Sequence, residues 1–311
     1  MEIRKELYAG SIKIFKSVRS AKKLSQHFQE HILPNHSLLS RKGSNHTNTQ
    51  EEVRASACKD FENDPVTSIL WKEIIEEVKI HTSPVEYNLS TSAPLSNFAW
   101  DRVRLRIQQS GAGYDDITKS LHSFGRYSST LPLHRDTWAS LVMQQLNWWT
   151  PLLDIDENRT LAIYPSYFAK ELPNTTNSWS LSTLKEKRRA KIPYPQLPQL
   201  SMEKISKAEL ESIEHDKQPI VIRPGDVMVF SGQHLHGSVI NNTGLTRFSS
   251  EIRTVDIHDV KHNIGAKNID GYMHGCHLEW FHAIEEEVIE DGSAVPRLKK
   301  GMNLKKIVKS F

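Results

Sequence analysis

Residues 131–138 constrain the fold of this chain more than any other segment. They contain a histidine and an aspartate two positions apart, His134 and Asp136. On an extended strand, side chains at positions i and i+2 point to the same face of the sheet. We therefore expect one imidazole and one carboxylate to converge on one side of a sheet, as two of the three ligands that a metal site needs.

A later segment, residues 230–238, offers a third ligand. It carries His234 and His236, which would also share one face of an extended strand, so their spacing alone does not choose between them. Two histidines and one carboxylate on one face of an octahedral metal leave three positions open. That ligand set is typical of non-haem Fe(II) oxygenases.

Four sequence blocks in a fixed order make the chain resemble a known family. They are residues 134–136, 144–152, 156–166 and 223–247. Over roughly residues 100–255 the chain is similar to the iron(II)- and 2-oxoglutarate-dependent dioxygenases, specifically their phytanoyl-CoA dioxygenase-like branch. It departs from the family pattern in the third block. There Arg159 replaces the usual glycine, and the Pro-Ser pair that ends the block lacks a glycine and a following histidine.

The resemblance implies a fold and a metal site. The fold would be mainly β with flanking helices, a double-stranded β-helix (a cupin-like jelly roll of two antiparallel sheets). His134, Asp136 and His236 would hold Fe(II), because the family pattern places the second histidine directly before Gly-Ser. O2 would bind the same iron, and His234 would lie behind the site or in the core.

The resemblance also implies a site for 2-oxoglutarate. Arg247 would bind the distal carboxylate in a two-pronged contact, with Arg253 as the alternative. Ser249 alternates with Arg247 along the chain and would donate a hydroxyl to the same carboxylate. Gln108 would touch the cosubstrate, and Asn147 would either contact cosubstrate or substrate or be a satisfied buried amide.

A strand ahead of the metal segment carries an arginine face. Arg102, Arg104 and Arg106 alternate with apolar residues, which predicts a strand with one apolar and one charged face. The arginines would either face water or, inside a barrel-like double sheet, bind a carboxylate of the substrate. Trp138, two positions beyond Asp136, would form a wall of the pocket.

The patterns divide the chain into three parts around one catalytic core. Residues 1–84 are expected to be helical, and residues 85–260 to form the core, with a lid-like insertion at residues 166–218. Residues 261–311 would form a C-terminal helix and a basic tail. Within these parts, helices are expected at residues 1–33, 69–79 and 276–289, and an exposed loop at residues 35–52.

Charge and cysteine content narrow the partners and the compartment. The 311 residues carry a formal charge of +3 and include two cysteines. This near balance gives no bulk attraction to nucleic acid or to a membrane surface, and no run approaches the ~20 apolar residues of a membrane span. Two cysteines are too few for a disulfide framework, and because the first residues lack the apolar run of a signal peptide we expect none. We expect a cytoplasmic protein whose partner is a small molecule.

The resemblance implies an enzyme that activates a C–H bond of a small, anionic substrate and releases succinate and CO2. The outcome would be hydroxylation, or else desaturation or oxidative cyclisation of a carboxylate-bearing, amino-acid-like metabolite, as in the biosynthetic kainoid-type synthases. The alternative is a cupin-like metal-binding protein that is non-catalytic or needs no 2-oxoglutarate. A buried cation at Arg247 separates the two, because only the dioxygenase requires it.

Overall fold

Two antiparallel β-sheets form the centre of the chain, and helices pack around them. In the computed structural model this arrangement confirms the predicted jelly roll with flanking helices. No helix among the described residues is long and apolar enough to cross a membrane. The structure describes residues 2–40, 48–81, 97–111, 130–190, 192, 194–195, 197–287 and 297–309.

The strands belong to a larger and a smaller sheet. In chain order they are β1 Lys13–Phe15, β2 Phe98–Trp100, β3 Arg104–Gln108, β4 Leu146–Pro151, β5 Leu161–Ile163, β6 Gln218–Pro219, β7 Val227–Ser231, β8 His236–Ser238, β9 Arg247–Asp256, β10 His282–Glu287 and β11 Arg297–Asn303. Within the described chain, the larger sheet has eight strands in the order β1-β7-β4-β9-β2-β10-β11, with β3 also paired to β9. The smaller sheet has the order β6-β5-β8.

Strand β9 is the centre of the larger sheet. It pairs with β4 along one side and with β3 and then β2 along the other. Because side chains alternate along a strand, Phe248 and Ile252 share one face, and Arg247, Glu251 and Arg253 share the other. The first face joins the main apolar core. The second borders the space between the two sheets, so a row of charged residues points into the molecule.

Helices cover the apolar face of the larger sheet. Trp71 lies there fully buried, and its indole Nε1 donates a 2.9 Å hydrogen bond to Ser250 on β9. The helices are α1 Glu2–Tyr8, α2 Arg19–His27, α3 Asn48–Asn63, α4 Pro65–Val78, α5 Thr137–Ser140, α6 Leu181–Arg189, α7 Lys207–His215, α8 Ile257–Lys261 and α9 Leu304–Lys309. Helix α4 confirms the helix expected at residues 69–79. Its first turn is capped by Asp64, whose side chain accepts the Thr67 N–H.

The predicted N-terminal helix is wrong in its middle. Strand β1 interrupts it and pairs with β7. Gly10, at φ 100°, and Ser17, at φ 55°, bracket β1 with backbone conformations that a right-handed helix does not allow. The exposed loop expected at residues 35–52 is also wrong in part, because a 3-10 helix extends to Ser40 and α3 begins at Asn48.

The helix predicted at residues 276–289 is also wrong. Residues 282–287 form β10, which pairs with β2 and β11 in the larger sheet. Ala283 and Ile284 are both buried, and they belong to two different apolar clusters. A strand that is buried on both faces shows no alternation, so periodicity alone cannot distinguish it from a buried helix.

Candidate metal centre

His134, Asp136 and His236 come together between the two sheets. His134 and His236 form an isolated β-bridge, in which each backbone N–H donates a 3.0 Å hydrogen bond to the other residue's carbonyl. His134 Nε2 lies 3.8 Å from Asp136 Oδ1, and His236 Nε2 lies 3.9 Å from Asp136 Oδ2. All three side chains are buried. One ligand atom from each lies within 4.8 Å of the others, which is close enough for one metal ion.

The backbone that delivers Asp136 differs from the expected extended strand. Asp136 has right-handed helical angles, φ −66° and ψ −31°, and it precedes α5. The chain therefore turns between the histidine and the aspartate. The two side chains still converge, but the rule that relates positions i and i+2 on a strand is not the reason.

The turn at Asp136 also redirects Trp138, so its predicted place in the pocket wall is wrong. Trp138 is fully buried within α5, and its indole Nε1 donates a 2.7 Å hydrogen bond to Asp270 Oδ1. It packs in an apolar cluster with Tyr164 and Leu235. Trp138 is not among the residues that line the cavity.

Hydrogen bonds fix the tautomers of both candidate histidines. Nδ1 of His134 lies 2.8 Å from the carbonyl of Pro132, and Nδ1 of His236 lies 2.9 Å from that of His234. Carbonyl oxygens only accept, so Nδ1 must carry a proton in each ring, and in the neutral form of such a ring Nε2 keeps a free lone pair. Burial, with the neighbouring His236, lowers the pKa of His134 to about 3. His134 is therefore a neutral imidazole, the form that binds metals.

Asp136 supplies the negative charge of the cluster. Burial favours its neutral form, but nearby positive charge, above all the Arg253 guanidinium, outweighs burial and holds the pKa of the carboxyl well below its usual range. Its Oδ2 accepts a 2.6 Å hydrogen bond from Asn147 Nδ2. Its Oδ1 is buried and accepts no hydrogen bond, although an Arg253 nitrogen lies 2.9 Å away.

The donor set fits a divalent transition metal. Two imidazole nitrogens and one carboxylate oxygen lie close enough together to bind one ion, and Asp136 Oδ1 accepts no hydrogen bond. Imidazole and carboxylate ligands in this ratio, with further positions left open, suit non-haem Fe(II). The Nδ1–H bonds to backbone carbonyls orient both rings, as is usual for histidine ligands.

A second group of possible ligands does not make a metal site. Asp256, His258 and Asp259 also have ligand atoms close together. However, Arg4 is buried against them, with nitrogens 3.0 Å from Asp256 Oδ2 and 2.6 Å from Asp259 Oδ2. A permanent cation already pairs with both carboxylates.

The candidate ligands line a cavity between the sheets, and Arg247 lines it too. Arg247 is only 4% exposed, and its Nε and one terminal nitrogen have no hydrogen-bond partner among the described residues. Burial, together with the charge of Arg106, lowers the pKa of Arg247 to about 10. The other lining residues are Arg106, Leu131, Asn147, Trp148, Trp149, Leu161, Phe230, Gly237, Ser238, Glu251, Ile252 and Arg253.

Ser249 and Gln108, predicted to contact the cosubstrate, do not line this cavity. Both are fully buried, and Ser249 Oγ and Gln108 Oε1 have no partner among the described residues. Gln108 Nε2 donates to the carbonyl of Val239 at 2.7 Å and to the hydroxyl of Thr130 at 3.2 Å. The role of both residues toward a cosubstrate stays a prediction.

The three arginines of the β3 segment have different environments. Arg106 lines the cavity and donates a 2.6 Å hydrogen bond to Glu251 Oε1. Arg104 is buried in an ion pair with Asp101 and also donates to the carbonyl of Arg102. Neither Arg104 nor Arg102 lines the cavity. Of the predicted substrate arginines, the structure therefore brings only Arg106 to the candidate site.

Asn147 and Arg253, two residues predicted to contact cosubstrate or substrate, both contact Asp136. Asn147 lines the cavity, but Nδ2 is committed to Asp136 and Oδ1 accepts a 2.8 Å hydrogen bond from Gln145. Its amide is thus hydrogen-bonded within the protein, and a contact with cosubstrate or substrate stays a prediction. Arg253 lies 2.9 Å from Asp136 Oδ1 and 3.8 Å from Asp101.

Sequence reasoning missed the aromatic and acidic walls of the cavity. Trp149 lies on β4 two positions from Asn147, and Phe230 packs edge-on against His236 with ring centroids 5.2 Å apart. Glu251 brings the second carboxylate. The alternation along β4 placed Asn147 and Trp149 on one face, so the signal for Trp149 was present in the sequence.

The insertion at residues 166–218 is folded rather than loop-like, and none of its described residues lines the cavity. It contains α6 and α7. The buried guanidinium of Arg135 attaches it to the core, donating to the carbonyls of Tyr167 and Lys170 at 2.7 and 2.8 Å and pairing with Asp270. The insertion gives no support to a lid over the metal centre.

His234 lies away from the cavity. It is fully buried, with Nδ1 3.1 Å from the carbonyl of Ser231 and Nε2 3.0 Å from that of Gly10. Burial lowers its pKa to about 4. With both ring nitrogens against backbone carbonyls, His234 links the N-terminal segment to the core, and His236 is the candidate ligand.

No protein-family model matches the chain, and no curated protein matches it either. Solved structures similar to it include EctD from S. alaskensis, determined with 2-oxoglutarate and 5-hydroxyectoine (13% identity, 83% of this chain and 77% of that chain, TM-score 0.47). AviO1 from Streptomyces viridochromogenes is similar at 14% identity, over 82% of this chain and 94% of that chain, with a TM-score of 0.42.

The epimerase SnoN, determined with Fe3+, alpha ketoglutarate and nogalamycin RO, is similar at 12% identity. The match covers 97% of this chain and 95% of that chain, with a TM-score of 0.41. At these identities and TM-scores the comparisons describe likeness only. The assignment of function therefore rests on the side chains of the cavity.

Proposed function

We propose that this protein is an Fe(II)- and 2-oxoglutarate-dependent oxygenase that acts on a C–H bond of a small molecule. The observation that carries the proposal is Arg247. It is a buried guanidinium with two nitrogens unpartnered among the described residues, and it lines the same cavity as His134, Asp136 and His236. A metal site alone does not require such a cation, whereas a chelating dicarboxylate cosubstrate does.

A buried arginine without an anion is costly, because its lost hydration is not repaid. A carboxylate offers two oxygens that match the fork of a guanidinium. Arg247 would therefore bind the carboxylate of 2-oxoglutarate that is remote from the metal. The unpartnered hydroxyl of Ser249, on the same face of β9, is a further candidate donor to that carboxylate.

The remaining residues of the site would bind the metal or enclose the cavity. His134 and His236 would bind the metal through Nε2, and Asp136 through Oδ1. Trp149 and Phe230 would exclude water from the cavity. When bound, Fe(II) with 2-oxoglutarate and O2 would supply the oxidant that removes hydrogen from an unactivated carbon, with succinate and CO2 as coproducts.

We further propose that the substrate is a small anionic metabolite, bound near Arg106. Arg106 lines the cavity, and its buried Nε has no partner among the described residues even though a terminal nitrogen bonds Glu251. Hydroxylation is the default outcome. Desaturation or ring closure of a carboxylate-bearing, amino-acid-like biosynthetic substrate would need the same residues and a different substrate pose.

The test is anaerobic titration of the metal-free protein with Fe(II) and then 2-oxoglutarate. We expect the weak visible charge-transfer band of the chelate. His236→Ala should abolish iron binding and the band together. Arg247→Gln should keep iron binding but require a much higher 2-oxoglutarate concentration. Arg223→Gln, at an exposed turn, is the matched control and should behave like the native protein.

Two results would contradict the proposal. Iron binding without any band would leave a cupin-like metal-binding protein that needs no 2-oxoglutarate. An unchanged 2-oxoglutarate requirement in Arg247→Gln would remove Arg247 from the site, although the metal ligands would stand.

A further inference from the structure

A line of hydrogen bonds runs through the core and ends at Asp136. The backbone N–H of Val142 donates to Ser140 Oγ at 3.2 Å, and Ser140 Oγ lies 3.0 Å from Gln145 Oε1. Gln145 Nε2 lies 2.8 Å from Asn147 Oδ1, and Asn147 Nδ2 lies 2.6 Å from Asp136 Oδ2. All four side chains are buried, with Ser140 and Gln145 completely inaccessible.

The groups at the two ends of this line determine which partner donates in each hydrogen bond. An ionised carboxylate only accepts hydrogen bonds, so Asn147 must turn its NH2 group to Asp136 and its oxygen to Gln145. Gln145 must then turn its own NH2 group to Asn147 and its oxygen to Ser140. The Ser140 hydroxyl must therefore donate to Gln145. Its oxygen is then left to accept from Val142, whose backbone N–H can only donate.

Packing keeps the central amide in place. Gly232 adjoins the Gln145 side chain, and a Cβ at this glycine would lie 2.9 Å from Gln145 Nε2 and 3.2 Å from its Cδ. A side chain at position 232 would thus displace the amide. The glycine lies between Phe230 and His234 in the segment that also carries His236, so the same short stretch of chain supplies a ligand and the space for Gln145.

We propose that Ser140, Gln145 and Asn147 are positioning residues that hold Oδ2 of Asp136 and leave Oδ1 for the metal. Oδ1 accepts no hydrogen bond and has an ion-pair contact with Arg253, whose nitrogen lies 2.9 Å away. The proposal rests on the proposed metal site and adds to it three residues that do not touch the metal. It requires that a change two or three hydrogen bonds away alters metal binding without altering the ligands.

The test compares metal binding by matched variants of the full chain. Gln145→Leu breaks the line, and Gln109→Leu removes another buried glutamine amide, which lies outside the cavity. Ser140→Ala removes the first hydroxyl, and Ser140→Thr restores one. Anaerobic calorimetric titration with Mn2+ gives the affinity. The visible spectrum of bound Co2+ reports the ligand arrangement, and thermal unfolding verifies the fold of each variant.

We expect Gln145→Leu to weaken Mn2+ binding by about 10-fold, within the range known for residues that orient metal ligands. The Co2+ spectrum should change with it. Ser140→Ala should weaken binding less but in the same direction, and Ser140→Thr should restore it. Gln109→Leu should leave affinity and spectrum unchanged. Gly232→Ala should resemble Gln145→Leu, because it displaces the same amide.

The outcomes separate this proposal from the proposed function. Native protein that binds no divalent metal would refute both. If the native protein binds Mn2+ and both Gln145→Leu and Ser140→Ala bind it equally well, only the proposed positioning role of this hydrogen-bonded line is refuted. Equal losses of affinity in Gln145→Leu and Gln109→Leu would refute it too, because they would report a general loss of stability.

Discussion

Replacement of Arg247 by methionine should stabilise the ligand-free protein, although it removes a residue of the proposed site. Burial and the charge of Arg106 lower the pKa of Arg247 to about 10, against a weaker attraction to Glu251. This lowering corresponds to roughly 3 kcal/mol by which the cavity disfavours the charged guanidinium, at 1.36 kcal/mol for each pKa unit. Methionine keeps an apolar stem of similar length and carries no charge.

The expected gain is smaller than the full penalty. Methionine does not fill the space of the guanidinium, and the attraction to Glu251 is lost. We therefore expect the free energy of unfolding to rise by about 1–3 kcal/mol. For a chain of this size each kcal/mol shifts the melting temperature by roughly 2 °C, so Arg247→Met should melt about 2–6 °C higher. Differential scanning calorimetry without metal or cosubstrate is the assay.

Arg104→Met is the matched control, and we expect it to lower the melting temperature rather than raise it. Burial lowers the pKa of Arg104, but Asp101 outweighs burial and raises the pKa well above its ordinary value. Removal of Arg104 would leave the buried Asp101 carboxylate with a weaker ion pair, to an Arg253 nitrogen 3.8 Å away, so the protein should melt at a lower temperature. A fall in melting temperature for Arg247→Met, equal to that of Arg104→Met, would show that Arg247 is already compensated and would refute the reasoning.

Three further predictions follow from other buried charges and from the insertion. Burial alone would raise the pKa of Glu251, but the charge of Arg106 outweighs burial and lowers the pKa to about 2. The stabilisation by this ion pair is therefore complete above pH 4.5 and is lost as the pH falls toward 2. Glu251→Gln should therefore flatten the acid limb of unfolding free energy measured against pH. Asp270→Ala leaves Arg135 buried without its carboxylate and should cost about 3–5 kcal/mol in urea unfolding. Lys185→Glu, on exposed α6, should leave the 2-oxoglutarate dependence of the chelate band unchanged, and a weakened band would restore the insertion as part of the site.

The sequence predicts the strands that have one face in the apolar core and a polar face on the other side. Leu105 and Ile107 pack into the main apolar core, and Arg104 and Arg106 lie on the opposite face of the strand. The resulting alternation of apolar and charged residues predicted β3. Strand β10 carries no such mark at Ala283 and Ile284, which lie on its two faces and are both buried. Strand β1 has three residues and lies at an edge of the sheet, with Ile14 41% exposed, and its apolar residues imitate helical spacing.

The candidate metal ligands could be named from the sequence and its resemblance to a family, but their surroundings could not be predicted. His134, Asp136 and His236 were chosen by residue type and order, which survive the turn at Asp136. The placement of Trp138 depended on strand geometry, and it failed at that turn. The partner of Asn147 depended on which polar group the fold brings within hydrogen-bond distance, and nothing in local sequence specifies that contact.

The charges that line the cavity bear on the proposed substrate. Three arginines and two carboxylates among the described lining residues leave one positive charge in excess, counted with both imidazoles in the neutral form that would bind a metal. Arg253 lies against Asp136, and Arg106 against Glu251, so the excess is localised on Arg247. A divalent metal adds two positive charges, and dianionic 2-oxoglutarate removes two. The loaded cavity would therefore keep one net positive charge in a region of low dielectric, where an anionic substrate is favoured over a neutral one of equal shape.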